Sequence, residues 1–336
     1  MTVRTRFAPS PTGPLHLGGA LSAVANRRRG DRLLLRIDDT DAAREVPGAV
    51  DAIVADLRWL GLEWDEGPVR QSSRADRHRE AAEAVGERHA DGSLRFGRTT
   101  LLRPDGSPTY HLASVVDDHD FGITHVVRGS DHRPNSELQQ ELARALGFDP
   151  PEYVHHGLVL GEDGKKLSKR NAPVATLRDL REAGIPGAAV RAYLEELGEP
   201  AHDVHLDLPR LRRLAVDAIA AMTDEELAAQ AGAPLGLARA LRGARDLVEA
   251  REMARSILEP EPAELPPEAA PTLARFIELE ANGVEPRAIV RELKAVGGDL
   301  KALRLALTGR DRGPELWTVI AALPRDEALR RAGAAL

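Results

Sequence analysis

Over the first 160 residues, short apolar runs alternate with stretches of helical periodicity; from residue 171 onward the helical pattern alone persists. Residues 3–5 form a short extended run, and 32–37 (Arg-Leu-Leu-Leu-Arg-Ile) read as a strand buried in a parallel sheet. Residues 20–26 between them are good helix formers. Val50, Ile53, Val54, Leu57 and Leu60 recur at helical spacing, with Pro47 suited to the first turn and Gly61 to the stop. Residues 61–67 then read as a loop and 74–89 as a strongly charged helix. An extended piece at 94–102 and a turn at 103–108 lead into a helix over 110–119 that ends near Gly122. Strands are predicted over 123–128 and 153–160, separated by a helix over 135–146 closed by Gly147. This alternation predicts an α/β fold, a Rossmann-like doubly wound parallel sheet with right-handed crossovers.

Beyond 171, helices are expected over 185–197, 208–221, 224–231, 237–258, 272–281, 285–295 and 314–323, with a Pro- and Glu-rich connector at 259–271. The pattern therefore predicts a catalytic-type α/β domain over 1–198 and an all-α domain over 199–336, with the boundary near Gly198.

Between the first strand and the first helix lies Arg6-Phe7-Ala8-Pro9-Ser10-Pro11-Thr12-Gly13-Pro14-Leu15-His16-Leu17-Gly18-Gly19. Its prolines forbid helix and fix a tight path. Gly18 and Gly19 open the following helix without a Cβ in the way of a ligand, and a helix N-terminus with free N–H groups seats phosphate. His16 beside it can donate to a phosphate or ribose oxygen. The strand at 32–37 ends in Asp38-Asp39-Thr40-Asp41, carboxylates at the edge of the sheet where ligands bind.

Composition narrows the chemistry. The 336 residues suffice for two domains, and 42% apolar with 29% charged residues describes a soluble globular chain. No apolar run approaches membrane-spanning length and no signal-peptide pattern opens the sequence, so the expectation is a cytoplasmic protein with no membrane association. There is no cysteine, which excludes disulfides, thiolate catalysis and a Cys-ligated zinc site. At a net charge of −7, nucleic-acid contact has to come from local basic patches, of which Arg27-Arg28-Arg29 is a candidate, equally readable as a solvated helix end. The chain has only five lysines, and Lys165, Lys166 and Lys169 share the glycine-flanked loop 161–170. A chain that uses Arg almost everywhere has placed compact ammonium groups there, where phosphate contact is the favoured reading. Asp117, Asp118, His119 and Asp120 have the look of a metal cluster, but a helix-end and packing role is the favoured reading, so no metal ligands are assigned.

Several pieces resemble bacterial glutamyl-tRNA synthetases, class I aminoacyl-tRNA synthetases, in the same order along the chain. Residues 6–19 resemble the HIGH signature in the form where the last His is Gly. Residues 36–41, 57–67, 108–118 and 122–131 follow, and Lys166-Leu167-Ser168-Lys169-Arg170 is a form of the KMSKS signature. Residues 303–316 resemble the C-terminal end of that enzyme. The resemblance implies ATP-dependent activation of L-glutamate to glutamyl-adenylate and its transfer to tRNA, tRNA-Glu above all. ATP with Mg²⁺ is the implied cofactor set, no zinc is needed, and a monomer is expected. It implies that Arg6 binds the side-chain carboxylate and Arg128 is a second substrate-binding arginine. Ala8, Ser10, Tyr110 and Ser114 line the amino-acid pocket, and Asp38 stands where a Glu holds the α-amino group. His16, Gly18 and Gly19 contact ATP. Lys169, with Lys166 and His16, makes up the catalytic set.

The departures also carry information. Asp38 is one methylene shorter than the family's Glu, Ser114 replaces a common Asn, and Ser130 stands where Glu is usual. The stretch at about 80–107 is much shorter than the insertion that cradles the tRNA acceptor end, and the C-terminal half is a shortened anticodon-binding-like domain. Residues 44–49 are similar to the glutamyl-queuosine tRNA-Asp synthetases, although the helical residues 200–336 argue against simple membership. Two alternatives therefore stand beside the main expectation. One is glutamyl transfer to queuosine in tRNA-Asp or to a non-tRNA acceptor; the other is a catalytically silent tRNA-binding paralogue.

Overall fold

The computed structural model describes residues 2–165, 167 and 175–336. Among them the chain forms two units, Met1–Glu182 with Val190–Leu208 and Ala183–Ala189 with Pro209–Leu336. The first is α/β. Strands β1 (Arg4–Phe7), β2 (Arg32–Ile37) and β3 (Glu66–Arg70) pair in parallel in that order. Helices α1 (Leu17–Arg29) and α2 (Ala49–Trp59) make the crossovers. Helix α3 (Ala75–Val85) leads to a small antiparallel sheet of β4 (Glu87–Arg88), β5 (Leu94–Phe96) and β6 (Thr99–Leu102). After α4 (Tyr110–Asp120), strand β7 (His125–Gly129), helix α5 (Arg133–Ala145) and strand β8 (Glu152–His156) complete a second parallel pair.

Strands β1 and β7 lie side by side. Arg4 N donates to Thr124 Oγ1 and Thr124 N to Arg4 O, both at 2.9 Å. The spatial order is therefore β3-β2-β1-β7-β8, with the chain winding outward in both directions from β1, the doubly wound arrangement expected. Asn26 of α1, 1% exposed, bridges the two halves: Nδ2 donates to Val127 O at 2.8 Å, and Thr5 Oγ1 donates to Asn26 O at 2.9 Å. In such a sheet the crevice for ligands opens beyond the C-terminal ends of the two central strands.

The local differences have simple causes. The expected loop at 61–67 ends inside β3, whose Gly67 and Pro68 mask it; an edge strand tolerates both. Pro47 lies ahead of α2, whose N-cap is Gly48 in the left-handed region (φ 76°). The helix expected at 74–89 stops at Val85, and the strand expected at 153–160 is broken by Gly157 into β8 and β9 (Val159–Leu160). At Gly157 a Cβ would lie 1.9 Å from His202 O, because β10 (Val204–His205) pairs with β9 and brings that backbone against it. Arg27 and Arg29 are bound to Asp65 and Glu199 and Arg28 donates to Glu195 O, so this triplet holds the fold together instead of forming an open basic patch.

Between β9 and β10 come α6 (Leu177–Glu182), which the pattern did not predict, and α7 (Gly187–Leu197). The second unit is helical: α8 (Leu208–Ala221), α9 (Asp224–Ala231), α10 (Ala238–Leu241), α11 (Leu247–Leu258), α12 (Ala270–Ala281), α13 (Pro286–Ala295), α14 (Leu300–Thr308), α15 (Leu316–Ala322) and α16 (Arg325–Ala334). The single helix expected over 237–258 is two, because Asp246 caps α11 by accepting from Glu249 N at 2.8 Å. Helices α14 and α16 went unpredicted. Leu241, Ile257, Phe276, Leu293, Leu307 and Val319 form its core. Arg331, 7% exposed, donates to Ile257 O and Leu307 O at 2.7 Å each and so satisfies the ends of α11 and α14. Among the described residues no helix is long and apolar enough to cross a membrane.

Candidate active site

The glycine loop after β1 reaches α1 at His16, which takes the N-cap position in extended conformation without a side-chain cap. Leu17 N donates to Ala175 O at 3.2 Å and Leu177 N to Leu15 O at 2.9 Å. The chain returning from the lysine loop is thus laced onto the glycine loop. No protein acceptor takes the N–H groups of Gly18 and Gly19 among the described residues. The two glycines do different work. A Cβ on Gly18 would meet nothing within 4 Å, which leaves open space at the helix start, whereas one on Gly19 would lie 2.9 Å from Leu15 Cδ1. Both line a cavity of about 490 Å³ together with Ser10, His16, Arg128, His132, His156 and Leu167. Leu167 belongs to the lysine loop, so the two signature segments meet at one cavity. Lys166 and Lys169 lie outside the described residues.

A second cavity of about 380 Å³ shares Ser10, Thr12 and His132 with the first and is lined further by Asp38, Asp41, Arg44, Arg103, Tyr110 and Asn135. Arg6, Ala8 and Ser114 line neither cavity. Arg6 and Ser114 are buried, and Ser114 Oγ has no hydrogen-bond partner among the described residues.

Behind the second cavity lies a buried ionic cluster. Arg36 on β2 is 0% exposed; its Nε and Nη2 donate to Asp38 at 2.8 and 3.3 Å, and its Nη1 to Asp118 Oδ1 at 2.7 Å. Asp118 Oδ1 also accepts from Arg6 Nε at 3.1 Å. Burial works against the Arg36 charge, but Asp38 and Asp118 overcome it and raise its pKa. Asp38 is pushed up by burial in spite of Arg36 and Arg6. The third cation, Arg128 on β7, donates to neutral groups: Gln139 and Ser136 at 2.8 Å each, Tyr110 Oη at 3.3 Å and His155 Nε2 at 3.4 Å. Burial is the main cause of its lowered pKa. Three guanidiniums thus face two carboxylates in this inner set, and one positive charge is left for an anion to neutralise.

Asp117, beside Asp118 on α4, faces a different set. Burial alone would raise its carboxyl, but His78 at 2.8 Å, Arg36 and Arg74 hold it low. These two acids therefore serve as ion-pair partners, and Asp118 belongs to the site. The sequence alone favours a helix-end and packing role for it; the available signal is two adjacent acids after the apolar Val115-Val116, which require buried cationic partners.

His155 supplies a titratable reporter. Burial first, then the Arg128 cation, lowers it to about 4. An unfolded histidine titrates near ~6.5, so the unfolded chain binds the extra proton first; this contribution to stability is complete above that pH and is lost as pH falls towards 4. An NMR titration of the His155 ring should show a midpoint near 4, and a midpoint at the ordinary value would mean that the ring is not buried beside Arg128.

A family model described as tRNA synthetases class I (E and Q), catalytic domain, matches residues 2–90 and 92–206. Glutamate--tRNA ligase 1 of Methylorubrum extorquens is 34% identical over 98% of this chain and 98% of its own. Glutamate--tRNA ligase 1 of Rubrobacter xylanophilus is also 34% identical, over 98% of this chain and 97% of its own. The Methylorubrum alignment runs over 466 positions and covers 98% of the 336 residues here, so about 137 of its positions hold no residue of this chain. The crystal structure of a glutamate tRNA ligase from Elizabethkingia meningosepticum in complex with its amino acid shares the fold, with a TM-score of 0.75, at 22% identity over 100% of this chain and 99% of that one. With two signature segments meeting at one cavity, a doubly wound sheet and relatives aligned from end to end, the chain belongs to the class I tRNA synthetases of the E and Q family.

Proposed function

We propose that this chain is a glutamate--tRNA ligase that activates L-glutamate with ATP and transfers it to tRNA-Glu. The observation that carries the reading is the convergence of the glycine loop and Leu167 of the lysine loop on one cavity, beside a second cavity that holds Asp38 and Tyr110. ATP takes the first cavity, with its phosphates on the Gly18 and Gly19 amides and near His16, and with Lys166 and Lys169 supplying cationic charge. Glutamate takes the second, which Asp38, Ser10 and Tyr110 line, with its α-ammonium on Asp38; its carboxylates are assigned to Arg128, which lines the adjoining first cavity, and to Arg6, which with Ala8 and Ser114 lies outside both linings.

An α-carboxylate oxygen of glutamate attacks the α-phosphorus; the new O–P bond forms as the bond to the bridging oxygen breaks, and pyrophosphate leaves. The 3′-terminal ribose hydroxyl of tRNA then attacks the acyl carbon and AMP departs. No protein nucleophile takes part; the site works by placing reactants and by stabilising the leaving charge. Mg²⁺ would be held by the ATP phosphates with few protein ligands, as such ions commonly are. When bound, that ion neutralises phosphate charge. The helical unit Pro209–Leu336 is assigned to tRNA contact as a shortened anticodon-binding-like part.

The test is ATP–pyrophosphate exchange with glutamate, with and without tRNA-Glu, followed by acylation. Glutamate-dependent exchange and charged tRNA-Glu are expected. Exchange with acylation of queuosine-containing tRNA-Asp in its place would move the chain to the alternative acceptor, a reading that the residues 44–49 and the short stretch at 80–107 favour. No exchange under either condition would leave a silent paralogue. Lys169→Ala should slow adenylate formation about a hundredfold, with a smaller change in glutamate affinity; an unchanged rate would confine the lysine loop to the surface.

A further inference from the structure

Consecutive carboxylates on α4 point into different environments. Asp117, 0% exposed, serves Gln71, Arg74 and His78, all on the segment before α4. Asp118, 3% exposed, serves Arg6 and Arg36 through a single oxygen, Oδ1. The atom it takes from Arg6 is Nε at 3.1 Å, and among the described residues neither terminal nitrogen of Arg6 has a hydrogen bond. Arg6 is therefore gripped along its side, with its two-pronged end uncommitted. Arg36 anchors the grip in turn, since its other nitrogens go to Asp38.

We propose that Asp118 is a specificity-determining positioning residue for the amino-acid site, holding the Arg6 fork rigid so that a side-chain carboxylate is accepted and an amide rejected. The inference rests on the reading of the site as a glutamate-activating one. A carboxylate offers two acceptors to two fixed donors. The amide of glutamine presents an NH₂ group to one of them, a donor against a donor, and leaves the surplus cation unneutralised. That penalty lasts only while the fork is held. An Arg6 that turns freely swings one nitrogen away and accommodates the amide, so weakening Asp118 should reduce discrimination and not merely affinity. Asp118 touches no substrate atom in this scheme; it acts through Arg6.

The experiment measures binding of the sulfamoyl analogues of glutamyl-adenylate and glutaminyl-adenylate to the full chain by calorimetry, taking the ratio of the two dissociation constants. The wild type should prefer the glutamyl analogue. Asp118→Asn keeps an acceptor oxygen but removes the charge that makes the grip strong, and the ratio should fall about tenfold or more, chiefly because the freed Arg6 now accommodates the glutaminyl analogue. Asp117→Asn is the control for a purely structural role: it should lower the melting temperature while leaving the ratio within about twofold of native. A folded Asp118→Asn protein with the native ratio, or an equal fall in Asp117→Asn, overturns the proposal. Should Asp118→Asn fail to fold, Asp118→Glu retains the charge but moves the oxygen one methylene out of register with Nε and Nη1; its ratio must also fall, and a native ratio overturns the proposal in the same way. A wild type that does not discriminate between the analogues overturns the site reading itself, a different outcome from a discriminating wild type with a discriminating variant.

Discussion

Arg6→Ala should abolish glutamate-dependent ATP–pyrophosphate exchange, lowering kcat/KM by about a thousandfold or more, the effect of removing one partner of a buried, hydrogen-bonded charge pair. The charge balance of the inner set determines this effect. Arg6, Arg36 and Arg128 against Asp38 and Asp118 leave one positive charge, which a substrate with one net negative charge neutralises. Without Arg6 the balance is already zero, and a second buried carboxylate arrives with no cation to meet it. The same arithmetic excludes glutamine in the native protein, because an uncharged side chain leaves the surplus in place. Arg6→Ala should therefore also erase the preference for glutamate over glutamine in whatever activity survives. Circular dichroism must show the variant folded, since Asp118 loses a partner as well. Exchange within tenfold of native by a folded variant would remove Arg6 from the substrate.

Arg36→Leu should cost about 3–5 kcal/mol of stability, because it strands two carboxylates in the interior without their shared cation. Urea unfolding at neutral pH measures it. The size of the effect should depend on pH. Burial already pushes Asp38 upward with Arg36 present, and without the guanidinium nothing opposes that push as strongly. The variant can recover by protonating Asp38, so its deficit should shrink as pH falls from 7 towards 5. The wild type moves the same way but less, since Arg36 opposes the upward push of burial on Asp38. A deficit below about 1 kcal/mol, or one independent of pH, would mean that solvent reaches this cluster and that the site is wetter than its burial implies.

The parts of this molecule that could be read along the chain are those governed by neighbours in sequence. Strand β2 falls on residues 32–37 and helix α9 on 224–231, where apolar runs and periodicity were strong; α9 also has the capping box Thr223–Glu226. The failures occurred where a distant segment decides. Strand β3 is polar and contains Gly67 and Pro68, and it is a strand only because β2 offers an edge to pair with. Residues 153–160 look continuous, yet the approach of His202 O to Gly157 divides them. Helices α14 and α16 are the exception: both are rich in good helix formers, and Asp299 caps α14 by accepting from Ala302 N, so they went unpredicted although their local signals were present.

The candidate site divides along the same line. The order of chemistry along the chain, glycine loop, carboxylate strand end, arginine strand and lysine loop, was written in the residues themselves, since turns, helix starts and side-chain type are local properties. That Arg6 is gripped by a residue 112 positions away, that Asp117 and Asp118 serve separate clusters, and that three cations are set against two anions were decided only by folding. Charge balance in a dry interior is a sum over everything within a few ångströms, and one dimension of sequence does not say which terms enter that sum.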